Sequence, residues 1–417
     1  MTGLDIRPLT GADDIEAELD LRRRAFGPIS TAERPDWVTA VQASIRAGAL
    51  IGVFDGKRLV ASARYHPMRQ WWRGRCLPMA GVAGVKVAPE LRGRGTGKAM
   101  MAALLAEISH RGYPVSVLYP STVPLYRSMG WELAGGRYET YLPARSLAQL
   151  APADPLLSAD AQRPAAAGGP GTGSRPAAGS LRRAEPGDEA AVVKVIGEVH
   201  AALRQCGPST RDPADLDGWL ADDDNFAYLA DDGFVSYQWS RRHREIDVRW
   251  LVAGSAATAR ALLQILASHG SMADRIRTCL GPDDPATWLT WEADAALRLR
   301  GRWMLRLVNA PAAIAGRGFP AGGAVSVPVE LADRQLPANA GRWQLTIGGG
   351  TGVLDRAGEP AARPDNVLRL SARGLAALYA GIPLSTLRMA GLAAGPAAND
   401  DALDGAFACN AFMIDNF

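Results

Sequence analysis

The residues with the clearest chemical potential lie in VKVAPELRGRGTGKAMMAALL, which covers residues 85–105. Within this segment, Arg92, Gly95 and Gly97 fit the pattern R-x-x-G-x-G between an extended run and an amphipathic one. Glycine lets the backbone approach a ligand closely, and the free amides at the start of a helix attract anions. The pattern therefore indicates a turn that binds a pyrophosphate; a tight turn with solvated arginines is the alternative.

The C-terminus is the second chemically suggestive segment. The sequence GAFACNAFMIDNF ends without a polar tail, whereas ordinary termini are polar and fray. Its large apolar residues are Phe407, Phe412, Met413, Ile414 and Phe417. They predict a docked terminus whose carboxylate is held in a definite place, or else simple core packing of a last strand.

The elements that must position these groups can be predicted from hydrophobic periodicity. LIGVFDGKRLVASARYHPM predicts two strands joined at Asp55-Gly56, and residues 81–88 predict a further strand. After the glycines, apolar residues recur with helical spacing at Met101, Leu104, Leu105 and Ile108. The glycine turn is thus expected between a strand and a helix.

The length of 417 residues predicts three domains. Residues 1–150 alternate short strands and helices, residues 151–180 are a linker rich in Pro, Gly and Ala, and regular patterning resumes over residues 181–297. The style changes again at residues 298–417, where strand-like runs precede a helical one.

Composition excludes several classes of protein. The net charge of +3 is too small for a dedicated nucleic-acid binder. The N-terminus lacks an apolar signal region and no run approaches a membrane span, so we expect a cytoplasmic protein with no membrane partner. The five histidines have no metal-site spacing, and we expect no metal.

A second motif follows the glycine turn and points to a family. Tyr126 and Gly130 in LYRSMGWE give Y-x-x-x-G-W, and this pair of motifs resembles the GNAT acetyltransferases. The stretch from residue 80 to 131, with RWMLRLVNAPAAIAGRGF later in the chain, resembles the Eis (enhanced intracellular survival) acetyltransferases. That resemblance implies an α/β (α+β) fold: two tandem GNAT-like domains, the second without the cofactor motif, plus a C-terminal sterol-carrier-protein-like α/β domain.

The resemblance also implies the site residues. Acetyl-CoA would be the co-substrate. Its binding residues would be Val85, Lys86 and Val87 for the pantetheine arm, and Arg92, Gly93, Arg94, Gly95, Thr96, Gly97 and Lys98, with Ser121 and Thr122, for the rest. Tyr126 would be the general acid, which is sensible because phenol and thiol pKa values are close; a packed aromatic is the alternative. The terminal carboxylate of Phe417 would be the general base.

The acceptor implied by the resemblance is a primary amine of a polyamine-like molecule, such as an aminoglycoside, or a lysine side chain. The candidate acceptor residues are Phe26, Asp36, Trp37, Gly84, Tyr119, Asp415 and Asn416. Asp36 could equally cap a helix, and Gly84 stands where some members of the family carry a bulky aromatic, which predicts a larger pocket.

Two other readings of the chain remain open at this stage. One is acylation of a biosynthetic or peptide amine with a larger acyl-CoA, and the other is a non-enzymatic acyl-CoA or lipid carrier. The resemblance further implies a homo-oligomer, a hexamer.

Overall fold

The structure is a computed structural model. It describes residues 4–150, 181–210, 212–240, 244–290, 296–358, 366–415 and 417. The predicted linker at 151–180 and the candidate acceptor residue Asn416 lie outside the described residues.

The N-terminal part of the chain alternates strands and helices. Its strands are β1 (Leu4–Pro8), β2 (Leu50–Asp55), β3 (Arg58–Trp72), β4 (Arg75–Val87), β5 (Val115–Leu118) and β6 (Glu132–Pro143). Its helices are α1 (Ala12–Phe26), α2 (Arg34–Arg46), α3 (Thr96–His110) and α4 (Val123–Ser128).

The middle of the chain repeats this alternation. Its strands are β7 (Arg182–Arg183), β8 (Cys206–Thr210), β9 (Asn225–Ala230), β10 (Gly233–Trp239), β11 (Glu245–Ala253), β12 (Arg275–Thr278) and β13 (Ala296–Leu307). Its helices are α5 (Glu189–Ala202), α6 (Ala214–Leu220), α7 (Ala256–Ala267) and α8 (Pro285–Leu289).

The C-terminal part combines a second sheet with short helices. Its strands are β14 (Val325–Ala332), β15 (Gly341–Gly348), β16 (Thr351–Arg356), β17 (Leu368–Ser371) and β18 (Ala393–Ala394). Its helices are α9 (Ala310–Gly316), α10 (Ala372–Tyr379), α11 (Leu384–Met389) and α12 (Asp400–Phe407).

One compact unit contains Met1–Gly136, Gly301–Ala411 and Asp415–Phe417. Its larger sheet has the order β1-β2-β3-β4-β5-β13, with β4 parallel to β5 and β13 antiparallel to β5. Its smaller sheet has the order β16-β15-β14-β17-β18. The helix α3 buries its apolar stripe in the core of the larger sheet, because Met101, Leu104, Leu105 and Ile108 are all buried there.

The other unit contains Arg137–Arg300 and Phe412–Ile414. Its strands follow the order β6-β12-β11-β10-β9-β7, and one of its cores gathers Leu142, Ile246, Leu262 and Ile276. Here Gly254 and Ser255 alone separate β11 from α7, and Ser255 caps that helix. This two-residue turn has no room for a glycine-rich loop such as the one before α3.

The local predictions made from periodicity are confirmed. Strands β2 and β3 flank the Asp55-Gly56 turn, and the predicted strand at 81–88 is the second half of the longer strand β4. The domain boundaries at residues 150, 180 and 297 stay a prediction.

Candidate active site

The cleft of the first unit exists because β4 is longer than its neighbour. The parallel pairing of β4 with β5 runs from Met79–Val115 to Val82–Leu118, whereas β4 continues to Val87. Beyond Val82, no strand in the described ranges pairs with this edge of β4. The backbone of residues 85–87 is therefore available to an extended ligand, which can bind as an added strand would.

A β-bulge redirects β4 at the point where the pairing with β5 ends. In the pairing with β3, Ser62 lies opposite Lys86 but Arg64 lies opposite Ala83, so β4 carries an extra residue. Gly84 lies in this bulge with a left-handed φ of 60°, which glycine adopts without the penalty that a Cβ atom brings. The bulge turns the end of β4 away from β5.

The glycine turn closes one end of the cleft. Gly93 and Gly95 have φ values of 75° and 85°, and Gly95 is the N-cap of α3. A Cβ atom at Gly97 would lie 3.3 Å from Cγ2 of Val87, so glycine lets the helix pack closely on β4. The Arg92 side chain donates to the carbonyls of Val87 and Ala25 and so anchors the turn to β4 and α1.

These elements enclose a cavity of about 610 Å³. The residues that line it are Phe26, Val85, Lys86, Val87, Leu91, Arg92, Gly93, Gly95, Gly97, Lys98, Ser121, Thr122, Leu125 and Tyr126. Of the residues expected to bind the cofactor, Arg94 and Thr96 are not in the lining: Arg94 is exposed and Thr96 is buried. Leu91 and Leu125 were missed, because no chemical signal marks an apolar wall residue.

Tyr126 lies on α4 at the wall of this cavity. Its side chain is buried and its hydroxyl is hydrogen-bonded to Ser121. Burial raises the pKa of the Tyr126 phenol above its usual value, and the hydrogen bond from Ser121 opposes that shift. The phenol is therefore a proton donor throughout the neutral range.

The chain end is docked in the same unit. The Tyr119 hydroxyl donates to the backbone carbonyl of Asp415 at 2.7 Å, and the Tyr119 ring contacts the Phe417 ring edge-on, with centroids 5.7 Å apart. A Cβ atom at Gly81 would lie 2.8 Å from Cε2 of Phe417. Glycine at position 81 thus makes room for the terminal ring on β4.

The remaining candidate acceptor residues occupy different places. Phe26, at the end of α1, is more than half exposed and lines the cavity. Trp37 is half-buried on α2 and packs against the core, outside the cavity lining. Asp36 is exposed in the first turn of α2, whose N-cap is Glu33, so the alternative that Asp36 caps this helix is wrong.

Charged residues behind the bulge were also missed by sequence reasoning. Lys86 points away from the cleft to an ion pair with Glu18 of α1, and both side chains are buried. Burial lowers the pKa of Lys86, and the charge of Glu18 opposes that shift. Arg64 of β3 also lies beside Gly84. Contacts between α1, β3 and β4 create this cluster, and local sequence carries no signal for them.

Three segments of the chain match known protein families. Residues 5–134 and 207–307 each match an acetyltransferase (GNAT) domain, and residues 310–413 match a sterol carrier protein domain. N-acetyltransferase Eis of Mycobacterium tuberculosis is 31% identical over 330 residues, which cover 75% of each chain. The chain belongs to the Eis family of GNAT N-acetyltransferases.

Other relatives and solved structures agree with this assignment. An uncharacterized N-acetyltransferase of Streptomyces avermitilis is 30% identical over 93% of this chain and 92% of its own. The crystal structure of a GCN5-related N-acetyltransferase from Kribbella flavida superposes with a TM-score of 0.87 at 39% identity, over 99% of this chain and 98% of its own. Eis1 from Mycobacterium abscessus, at 23% identity and a TM-score of 0.75, shares the fold.

Three predictions from the sequence are thereby confirmed. The resemblance to the Eis family, the fold of two GNAT domains followed by a sterol-carrier-like domain, and the assignment to acyltransferase enzymes all hold. The alternative of a non-enzymatic carrier is set aside by the family. Across the ranges that the structure covers, no helix has the length and apolar character needed to span a bilayer.

Proposed function

We propose that this Eis-family enzyme transfers the acetyl group of acetyl-CoA to a primary amine. The observation that carries the proposal is the convergence of the β4 edge, the glycine turn and Tyr126 on one cavity. An edge of free amides suits a pantetheine arm, and the turn at the start of α3 suits a pyrophosphate. Lys98 and Arg92, which also line the cavity, add positive charge for that anion.

The proposed chemistry divides between two groups of the chain. Acetyl-CoA supplies a thioester carbon and a thiolate leaving group. The amine nitrogen forms the new C–N bond as the C–S bond breaks, Tyr126 donates its phenolic proton to the departing sulfur, and solvent returns a proton to Tyr126. The carboxylate of Phe417 accepts the proton that the amine loses, through a water molecule, because a carboxylate is a weak base for an ammonium group.

The first test is release of CoA thiol in the presence of acetyl-CoA and a panel of amines: aminoglycosides, polyamines and lysine peptides. We expect release that depends on the amine, and a fall in kcat of about 100-fold or more in Tyr126→Phe. Tyr113→Phe is the matched control, because Tyr113 packs on Tyr65 with ring centroids 5.6 Å apart and is not in the cavity lining. Full activity of Tyr126→Phe, or no release with any amine, would reject the proposal.

The pH profile gives a second readout of the same role. Burial raises the pKa of Tyr126 above the ordinary tyrosine value of 10.0, so the protonated acid persists to higher pH. We expect no loss of kcat from Tyr126 ionisation below about pH 10. A fall near pH 7 that disappears in Tyr126→Phe would contradict the assignment.

Three further expectations accompany this proposal without a test here. They are the domain boundaries at residues 150, 180 and 297, a cytoplasmic location, and the hexameric state implied by the family.

A further inference from the structure

The cluster of charges behind the Gly84 bulge contains one cation more than it can neutralise. The carboxylate of Glu18 is already engaged twice, by the Lys86 ammonium and by the Ser62 hydroxyl, which donates to Oε2 at 2.7 Å. Glu18 and Lys86 therefore cancel each other. The guanidinium of Arg64, on the same face of β3 as Ser62, is left over.

Arg64 lacks a neutralising partner of its own. Its Nε is sealed from solvent and has no hydrogen-bond acceptor among the residues that the structure describes. Burial lowers the pKa of Arg64, and the nearby charge of Glu18 only partly offsets that effect. A cation withdrawn from water without an acceptor destabilises the fold by several kcal/mol, so a residue of this kind is more useful to a ligand than to the protein alone.

The register of β3 and β4 shows which surface Arg64 serves. Arg64 lies opposite Ala83, and His66, two residues on, lies opposite Gly81. Side chains two residues apart point to the same face about 7 Å apart. The place that a Cβ at Gly81 would take is filled by the ring of Phe417 and by Sδ of Met68. Arg64 therefore shares its face of β3 with the residues that contact the chain end.

On its other side Arg64 reaches the bulge. A Cβ atom at Gly84 would lie 3.7 Å from Nε of Arg64 and 3.6 Å from Nζ of Lys86. Arg64 thus lies between the bulge, next to residues 85–87 of the proposed cofactor edge, and the docked Phe417 ring. If the proposed function holds, the amine nitrogen must react between those two features.

We propose that Arg64 binds a carboxylate of the acceptor, so that the enzyme acetylates amines carrying a single negative charge. This inference rests on the proposed function. The guanidinium fork matches the two oxygens of a carboxylate, and a surplus of one positive charge matches a monoanion. Arg22, which donates to the Gly27 carbonyl and acts electrostatically on Lys86, adds positive potential to the same region. Polycationic acceptors would be repelled by this arrangement.

The test uses matched pairs of acceptors that differ only in charge. The pairs are 4-aminobutanoate, 6-aminohexanoate and Nα-acetyl-lysine, each against its primary amide, with spermidine as a polycation. For at least one pair we expect kcat/KM to be about 10- to 100-fold higher for the acid, the range of a hydrogen bond to a charged group. In Arg64→Met we expect that preference to fall within about twofold, through loss of the acid's rate and not of the amide's.

Two variants guard this result. Removing an unneutralised buried cation should leave Tm unchanged or raised, and Arg64→Lys, which keeps the charge without the fork, should retain part of the preference. Arg69→Met is the matched control, because Arg69 is an exposed arginine of the same strand that donates to the Cys76 carbonyl.

The outcomes separate the two proposals. Release of CoA with amides or spermidine but no preference for any acid overturns the role of Arg64 and leaves the acetyltransfer proposal standing. A preference that survives in Arg64→Met also overturns it. No release with any of these amines or with those of the broader panel removes the proposed function, and this inference with it.

Discussion

A single missing methyl group at position 81 decides where the chain end can lie. Gly81 has its ordinary strand neighbours on β3, but a Cβ there would meet both the Phe417 ring at 2.8 Å and Met68 at 2.9 Å. Phe417 is held from the other side by the Tyr119 ring. The terminal carboxylate is therefore positioned by packing on Gly81 and Tyr119 as well as by the covalent chain.

Replacing Gly81 with alanine should move the terminal ring without disturbing the cofactor cleft. We expect kcat to fall about 10- to 100-fold, because a misplacement of about 1 Å is costly for a proton acceptor, while the affinity for acetyl-CoA stays unchanged. Steady-state kinetics and calorimetric titration with acetyl-CoA measure the two effects separately.

Gly301→Ala is the control for the change at position 81. Gly301 is also a strand glycine of the same unit, and a Cβ there meets nothing within 4 Å. Equal kcat in Gly81→Ala and Gly301→Ala would show that the position of Phe417 has no part in the reaction.

At the scale of elements, the cleft depends on how α3 begins. Gly95 caps this helix in the left-handed conformation, and Gly112 just beyond its end has nearly the same φ, 78° against 85°. Gly95 lines the cavity, whereas a Cβ at Gly112 would meet nothing within 4 Å. The two glycines therefore carry the same backbone requirement with different exposure to the proposed phosphates.

Alanine at either position should lower the free energy of unfolding by about 1–2 kcal/mol, the cost of a left-handed residue with a side chain. Only Gly95→Ala should also raise the KM for acetyl-CoA, by about tenfold, because the turn loses its close approach to the phosphates. Chemical denaturation and initial rates provide both values. A KM raised equally in Gly112→Ala would mean that strain in α3, and not phosphate contact, was measured.

The same elements show what sequence can and cannot predict. The strand, turn and helix around residues 81–110 were predictable, because periodicity and glycine spacing are local signals. The sequence could not predict that β5 stops pairing at Leu118 while β4 continues to Val87, since strand length reflects tertiary pairing. It gave no signal for Glu18 beside Lys86 either, because 68 residues separate them.

At the scale of the molecule, the sterol-carrier-like domain and the acetyltransferase domain share one compact unit through buried polar contacts. Arg306 of β13 forms a bidentate ion pair with Asp333 at 2.6 and 2.7 Å, and Asn339 donates to the same carboxylate. A Cβ atom at Gly130 would lie 2.9 Å from the Arg306 guanidinium. The glycine of the Y-x-x-x-G motif is thus the place where the turn after Tyr126 rests on this ion pair.

Replacing Arg306 with methionine should destabilise the whole unit, because Asp333 would be left as a buried charge without its cation. The expected loss is about 3–5 kcal/mol of unfolding free energy, measured by urea denaturation followed through tryptophan fluorescence. Arg356→Met is the matched control: Arg356 also stacks on an aromatic ring and donates to backbone carbonyls, but it is exposed, and its loss should cost less than about 1 kcal/mol. If both variants unfolded at the same urea concentration, the Arg306 pair would not hold the two domains as one cooperative unit. If Arg306→Met alone also lost activity at low urea, where it is still folded, the turn after Tyr126 would depend on the sterol-carrier-like domain for its catalytic position.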